Sequence, residues 1–341
     1  MAGKRLQLAR SLMAIGAHRI VARRDAPSLL VLNYHRLRAR ADAGPSQFDD
    51  GVFDTDVETF RHEMRWLKSA TTVIGEDDLL ELGGKLPLRR GAIYSLVTFD
   101  DGYIDCYTLA RKVLDDLGIR GIFFLPFNLL ESRSLGWWDV AAYLLKSARR
   151  DSISVDGQTY DLKRDFAASL RRILAVFKLE PAERTEALLT RLADACGVAP
   201  PTLDQQSAEL MSWAQVREMR ATGHAIGSHT MSHRVLATLD PEVQAREIKD
   251  SKRNLEAVLG GDVASFAYPV GGPQHINHHS VALAREAGYA QAFMFLTGKA
   301  ELPLADRFRI PRESAVSMDM LKAKALLPRF MGLEVAAAAG A

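Results

Sequence analysis

Leu96-Val97-Thr98-Phe99-Asp100-Asp101-Gly102-Tyr103 is the stretch whose reading decides the fold of this chain. Ile93 to Phe99 is an apolar run broken only by Ser95 and Thr98, the pattern of a buried strand, and it stops at two carboxylates and a glycine. Alone, Asp-Asp-Gly is also what a surface turn looks like. In an α/β sheet, however, ligands sit at the carboxyl ends of strands, which would aim Asp100 and Asp101 into a crevice. Adjacent like charges raise one another's pKa unless a cation neutralises them. A bound metal would let one aspartate ligate while the other stays available as a base.

Outward from this stretch the pattern alternates. Upstream, Leu29 to Asn33 reads as a strand ending in Tyr34-His35-Arg36, and Val57, Phe60, Met64 and Leu67 share one helical face. Downstream, Tyr107 to Leu117 reads as a helix closed by Gly118, and Gly121 to Pro126 as the next buried strand. Strand, helix, strand at this spacing is a parallel βαβ unit. The rhythm lapses over residues 128–209, where Trp137-Trp138-Asp139 opens a helix and Asp165 to Cys196 is helical with a break at Pro181, so this region reads as a helical insertion. It resumes with a helix from Ser212 to Arg220, a strand at Ala225 to Gly227, a long helix from Pro241 to Leu259, and strands at Val263 to Tyr268 and Gln291 to Leu296. The expected class is α/β, a mostly parallel barrel or sheet over residues 25–330, followed by a tail at 331–341.

Composition sets outer bounds. Of 341 residues 48% are hydrophobic and 25% charged, which argues against long disorder. Two cysteines, Cys106 and Cys196, supply neither a disulfide framework nor a Cys-x-x-Cys metal site, and suit a reducing, cytoplasmic compartment. Net charge is +2, but residues 1–40 carry nine Lys or Arg against Asp25, leaving the rest at −6. Residues 1–24 read as a basic amphipathic helix rather than a signal peptide, with Leu6, Ala9, Leu12, Met13, Ala17 and Ile20 as an imperfect apolar stripe. Such a helix can lie on an anionic membrane surface, at the inner face, or pack on its own domain. No nucleic-acid partner is expected.

His229 and His233 follow Gly227-Ser228 at another strand end, and their spacing places two imidazoles on one face of a helical turn. His-x-x-x-His alone is a weak signal. Two histidines plus a carboxylate, all at strand ends, are a stronger one, because they leave positions open for water and substrate as a catalytic metal site does.

Thr98-Phe99-Asp100-Asp101-Gly102-Tyr103, His229-Thr230-Met231-Ser232-His233 and Tyr268-Pro269-Val270-Gly271 together resemble the first three signature motifs of the polysaccharide deacetylases, the NodB-homology fold of carbohydrate esterase family four. The resemblance implies a distorted (β/α) barrel and metal-dependent removal of acetyl groups from N-acetylhexosamine units of a polysaccharide or lipid-linked glycan precursor. Position by position, it implies that Asp101, His229 and His233 hold a divalent metal, Zn²⁺ foremost, and that Asp100 is the general base. The backbone N–H of Val270 matches the position that helps hold the oxyanion. Tyr103, Tyr268 and Pro269 fall at the substrate, and Trp138 is a candidate for stacking on a sugar, with core packing of the Trp137–Trp138 pair as the alternative.

Two departures stand out. The arginine that usually opens the third motif is replaced by Ala267, so Arg312 or Arg309 would have to orient the base from another strand end. No histidine follows His279, so the family's late general acid is missing. His35, closing the first strand, matches circularly permuted members in which this histidine comes first, and it is the expected acid. Two rivals stay open: hydrolysis of another amide, such as a formamido sugar or an imide, and a glycan-binding homologue without catalysis.

Overall fold

The computed structural model describes residues 26–314 and 317–326. The amphipathic segment 1–24 and the tail 331–341 lie outside the described residues. Seven parallel strands neighbour one another in chain order: β1 (Ser28–Tyr34), β2 (Ile93–Phe99), β3 (Ile122–Leu125), β4 (Ala225–Ser228), β5 (Ser265–Ala267), β6 (Gln291–Met294) and β7 (Ile310–Pro311). β1 and β2 pair over their whole length, from Ser28 opposite Ile93 to Tyr34 opposite Phe99. Beyond β7 the chain passes Arg312 and pairs Glu313 and Ser314 in parallel with Leu32 and Asn33 of β1, which brings the sheet nearly to closure as a (β/α) barrel.

Alternation along each strand sorts the side chains. Leu29, Val31, Leu96, Ile122, Phe124, Ala267, Phe293 and Ile310 meet in one cluster inside the barrel, while Leu30, Leu32, Val97, Phe99, Phe123 and Phe266 join the cores under the helices. Burial on both faces is why these strands read as continuous apolar runs. By the same parity Asn33, Thr98 and Asp100 continue the inward rows of β1 and β2 and emerge at the barrel's carboxyl-end mouth.

The region between β3 and β4 holds the expected helices, Trp137–Ser147, Phe166–Leu179 and Thr185–Cys196 among them, but it is not wholly helical. Ser152–Val155 and Gln158–Asp161 form an antiparallel hairpin across Asp156-Gly157, both with left-handed backbone (φ 49° and 77°). The helix expected over 241–259 is continuous but carries a π-helical turn at Arg246–Asp250, and a second such turn, Cys106–Ala110, follows the Asp-Asp-Gly strand end. Among the described residues no helix is long and apolar enough to cross a membrane.

Candidate metal centre and catalytic cavity

Asp101, His229 and His233 are brought together: one ligand atom from each lies within 4.8 Å of the others, and all three are buried. His233 Nε2 is 3.2 Å and His229 Nε2 3.7 Å from Asp101 Oδ1. His229 Nδ1 lies 2.7 Å from the Ala267 carbonyl, which as a donor contact leaves the Nε2 lone pair toward Asp101. Burial pulls the His229 pKa down to about 4 and His233 well below its ordinary value, so both rings are neutral, the form in which imidazole ligates. Burial pushes Asp101 up to about 7, and its Oδ1 has no hydrogen-bond donor. An orphaned carboxylate oxygen facing two neutral imidazoles fits a divalent cation: the donor set is complete in kind and lacks only the charge that would hold Asp101 ionised.

The two histidines do not share a helical turn. Residues 229–233 form an irregular turn with left-handed backbone at Thr230 (φ 69°) and His233 (φ 53°), an uncommon conformation for such residues. Neighbouring groups hold it: Thr230 Oγ1 accepts from His233 N at 3.0 Å, Met231 N donates to the Glu247 carbonyl at 3.1 Å, and the Glu247 carboxylate accepts from Ser232 N at 2.9 Å. Glu247 lies in the π-helical turn, which is therefore what presents this acceptor pair to the histidine turn.

Asp100 is fixed by its surroundings. Arg312 donates from Nη1 to Oδ1 at 2.7 Å and from Nη2 to Oδ2 at 2.8 Å, and also from Nη1 to Asn33 Oδ1 at 2.7 Å. Asn33 Nδ2 donates to Asp100 Oδ2 at 3.3 Å, and Thr98 Oγ1, 2.9 Å from the Leu32 carbonyl, braces Asn33. Burial alone would raise the Asp100 pKa; the Arg312 guanidinium beside it, by its charge and its hydrogen bonds, outweighs burial and holds it well below the carboxylate range. Arg309, the other candidate, faces outward and pairs with Asp306 at 2.9 Å.

His35 lines the same cavity as Asp100, Asp101, His229, His233 and Arg312. Its Nδ1 is 3.5 Å from Asp54 Oδ2, which also accepts from the His35 backbone N at 2.6 Å. Burial lowers the His35 pKa, but Asp54 and then Asp101 and Asp100 raise it further, to about 9. Asp54 carries no signal in the sequence, standing in a polar stretch that the structure forms into a short strand beside Arg36–Arg38.

Of the expected substrate contacts, Trp138, Tyr268 and Val270 line the cavity, Val270 with a left-handed backbone (φ 59°). Tyr103 and Pro269 do not. Tyr103 is buried behind Trp138: its hydroxyl accepts from Trp138 Nε1 at 2.7 Å and donates to Asp139 Oδ2 at 2.6 Å. The Trp138 ring packs on that of His233, with centroids 4.3 Å apart. The insertion adds Trp137, Leu174 and Lys178 to the lining.

A near-closed parallel barrel with two imidazoles, two carboxylates and an arginine at one mouth defines the class of NodB-type barrels with a candidate metal hydrolase centre. The polysaccharide deacetylase family model matches residues 89–292, more than half of the sequence, and the chain belongs to that family. Over 75 residues, 22% of this chain and 26% of the relative, it is 33% identical to YxkH of Bacillus subtilis (strain 168), described as a polysaccharide deacetylase; the match spans about a quarter of that protein's length. Among solved structures, the Streptococcus pyogenes deacetylase PplD, in complex with acetate, superposes with a TM-score of 0.57 at 16% identity, covering 89% of this chain and 100% of PplD. IcaB from Ammonifex degensii gives 0.54 at 18%, covering 88% and 97%. These two share its fold.

Proposed function

We propose that the protein is a metal-dependent N-deacetylase acting on N-acetylhexosamine units of a glycan or a lipid-linked glycan precursor. The supporting observation is the meeting, in one cavity, of the Asp101–His229–His233 donor set with Arg312-held Asp100 and Asp54-paired His35. Asp101, His229 and His233 would hold the ion, Zn²⁺ being suited to a two-imidazole, one-carboxylate set. When bound, it supplies a Lewis acid for the amide carbonyl and lowers the pKa of water.

The remaining steps belong to the chain. Asp100, kept ionised by Arg312, accepts a proton from the attacking water. His35, kept protonated by Asp54, delivers a proton to the nitrogen of the departing amine. The Val270 backbone N–H is assigned to the developing oxyanion. Acetate release from N-acetylated glycans by the purified full chain tests this reading, with formate release from formamido sugars run in parallel. Formate without acetate would transfer the site to a different amide, and neither product from a folded, metal-loaded protein would refute hydrolysis.

A further inference from the structure

Arg36 directly follows the cavity-lining His35, but its own side chain is buried outside that lining. Its guanidinium carbon lies 4.4 Å from the centroid of the Phe53 ring and 4.5 Å from that of Tyr103. Its Nε donates to Asp105 Oδ2 at 2.8 Å and its Nη2 to Glu209 Oε2 at 2.6 Å. The other Asp105 oxygen accepts from Leu37 N at 2.9 Å. One side chain thus ties together its own strand, the strand that begins at Phe53, the segment that follows Asp100-Asp101-Gly102, and the end of the insertion. The planar fork and the two stacked rings fix direction as well as charge, which an ammonium cannot do.

The strand that begins at Phe53 is irregular where it matters. Phe53 stands opposite Arg36 in the parallel pair formed by Arg36–Arg38 and Phe53–Asp56, yet Leu37 is already opposite Thr55. Asp54 is therefore the extra residue of a β-bulge, and a bulge re-aims a side chain. Here the re-aimed group is the carboxylate that accepts from the His35 backbone N at 2.6 Å and lies 3.5 Å from His35 Nδ1. The ladder does not hold Asp54 in that place, but the residue before it is stacked on Arg36. Through Asp105, Arg36 is also anchored to the connection that carries Asp100 and Asp101.

We propose that Arg36 is a positioning residue for the reaction. It seats the bulge that presents Asp54 to His35, and it fixes that pair relative to Asp100 and Asp101 without touching substrate. The proposal rests on the reading of His35 as the acid, but His35 can be followed without turnover. Its imidazole is titrated by NMR in the Zn²⁺-loaded full chain, in wild type and in Arg36→Met, Arg36→Lys, Phe53→Leu and Arg38→Gln. The charged and titratable groups facing His35 are Asp54, Asp100, Asp101, His229, His233 and Arg312, and all of them stay in place in these variants. Removing the Arg36 cation would by itself raise the His35 pKa, whereas a displaced Asp54 lowers it, so the sign separates positioning from charge.

In Arg36→Met, Arg36→Lys and Phe53→Leu the His35 pKa should fall below its wild-type value, toward the ordinary imidazole value of 6.5. The alkaline limb of kcat/KM should fall with it, and kcat should drop by about 10-fold or more while KM stays within about 2-fold. Phe53 is half-buried and its replacement keeps every charge, so Phe53→Leu decides the matter where an Arg36 variant does not fold. Arg38 also stacks on Phe53, at 4.1 Å, and Arg38→Gln should leave His35 unmoved.

A His35 pKa that is unchanged or raised in Phe53→Leu or in a folded Arg36→Met overturns the proposal, as does an equal fall in Arg38→Gln. A lowered His35 pKa in these variants, with no acetate released by the wild type, would uphold the clamp and refute the deacetylase. Acetate release by the wild type with unmoved alkaline limbs in the variants would do the reverse.

Discussion

Arg312 and Asp100, 212 residues apart, form a two-pronged ion pair in which Nη1 and Nη2 each meet a separate carboxylate oxygen, at 2.7 and 2.8 Å. Both groups are buried, so the pair is a strong, directional contact that fixes the carboxylate plane as well as its charge. Lysine would keep the charge and lose the fork. Arg312→Lys and Arg312→Ala should therefore lower kcat, the alanine variant by about 10²-fold or more, on the scale of a general base's contribution. Without Arg312 burial dominates and the Asp100 pKa rises, so the acid limb of kcat/KM moves to higher pH. An unmoved limb would remove Asp100 from the role of base.

Asp54 should control the alkaline side. It is the principal group raising His35 to about 9, and an acid that must be protonated loses activity as pH rises through its pKa. Asp54→Asn removes that charge, so the alkaline limb of kcat/KM should fall toward the ordinary imidazole range. His35→Ala should abolish the limb together with most turnover. Identical alkaline limbs in wild type and Asp54→Asn would exclude His35 as the acid.

How much of this could be read from the sequence depends on what each signal encodes. The barrel strands were legible because strands buried on both faces are unbroken apolar runs, and Asp100, Asp101, His229, His233 and His35 could be picked out because each ends or follows such a run. The choice between Arg309 and Arg312 was not legible by spacing. It follows from strand parity, which puts Ile310 and Arg312 on the inward side and sends Arg309 to Asp306. His-x-x-x-His spacing suits a helical turn equally well, and only the left-handed Thr230 and His233 distinguish the turn that forms. The hairpin at Asp156-Gly157 did leave a trace, a turn dipeptide between Ile153-Ser154-Val155 and Gln158-Thr159-Tyr160, which the surrounding helical pattern obscured. Asp54 left none, because its pairing with His35 exists only in the folded chain.

Metal analysis should find about one divalent ion per chain in the wild type and none in Asp101→Ala or His233→Ala. An ion that binds only the folded state should also raise its stability, by about 2.7 kcal/mol at a free concentration of 100 Kd, visible as a Zn²⁺-dependent rise in Tm. Burial without a cation holds Asp101 near 7, so ion binding must displace a proton there, and apparent affinity should fall as pH drops below that value. His229, with its pKa near 4, adds a second loss only in more acid solution. Stoichiometric metal in both alanine variants would place the ion elsewhere.

Tyr103 is predicted to act on stability before it acts on substrate. Tyr103→Phe strands the Trp138 indole N–H and takes a donor from the Asp139 carboxylate, both buried, at a cost of about 1–3 kcal/mol for each group left unpaired. Burial already raises Asp139 to about 6, so between the ordinary carboxylate pKa and that value the folded chain binds a proton the unfolded chain has released, and this group's contribution to stability falls as pH rises. Loss of the Tyr103 hydroxyl raises Asp139 further. Urea unfolding should therefore show a variant deficit that is smallest in acid and grows toward neutral pH. Trp138 packs on His233, so a loosened indole should also weaken metal retention in proportion. A deficit independent of pH, with metal affinity unchanged, would show that the hydroxyl neither sets the Asp139 charge nor steadies the ligand beside it.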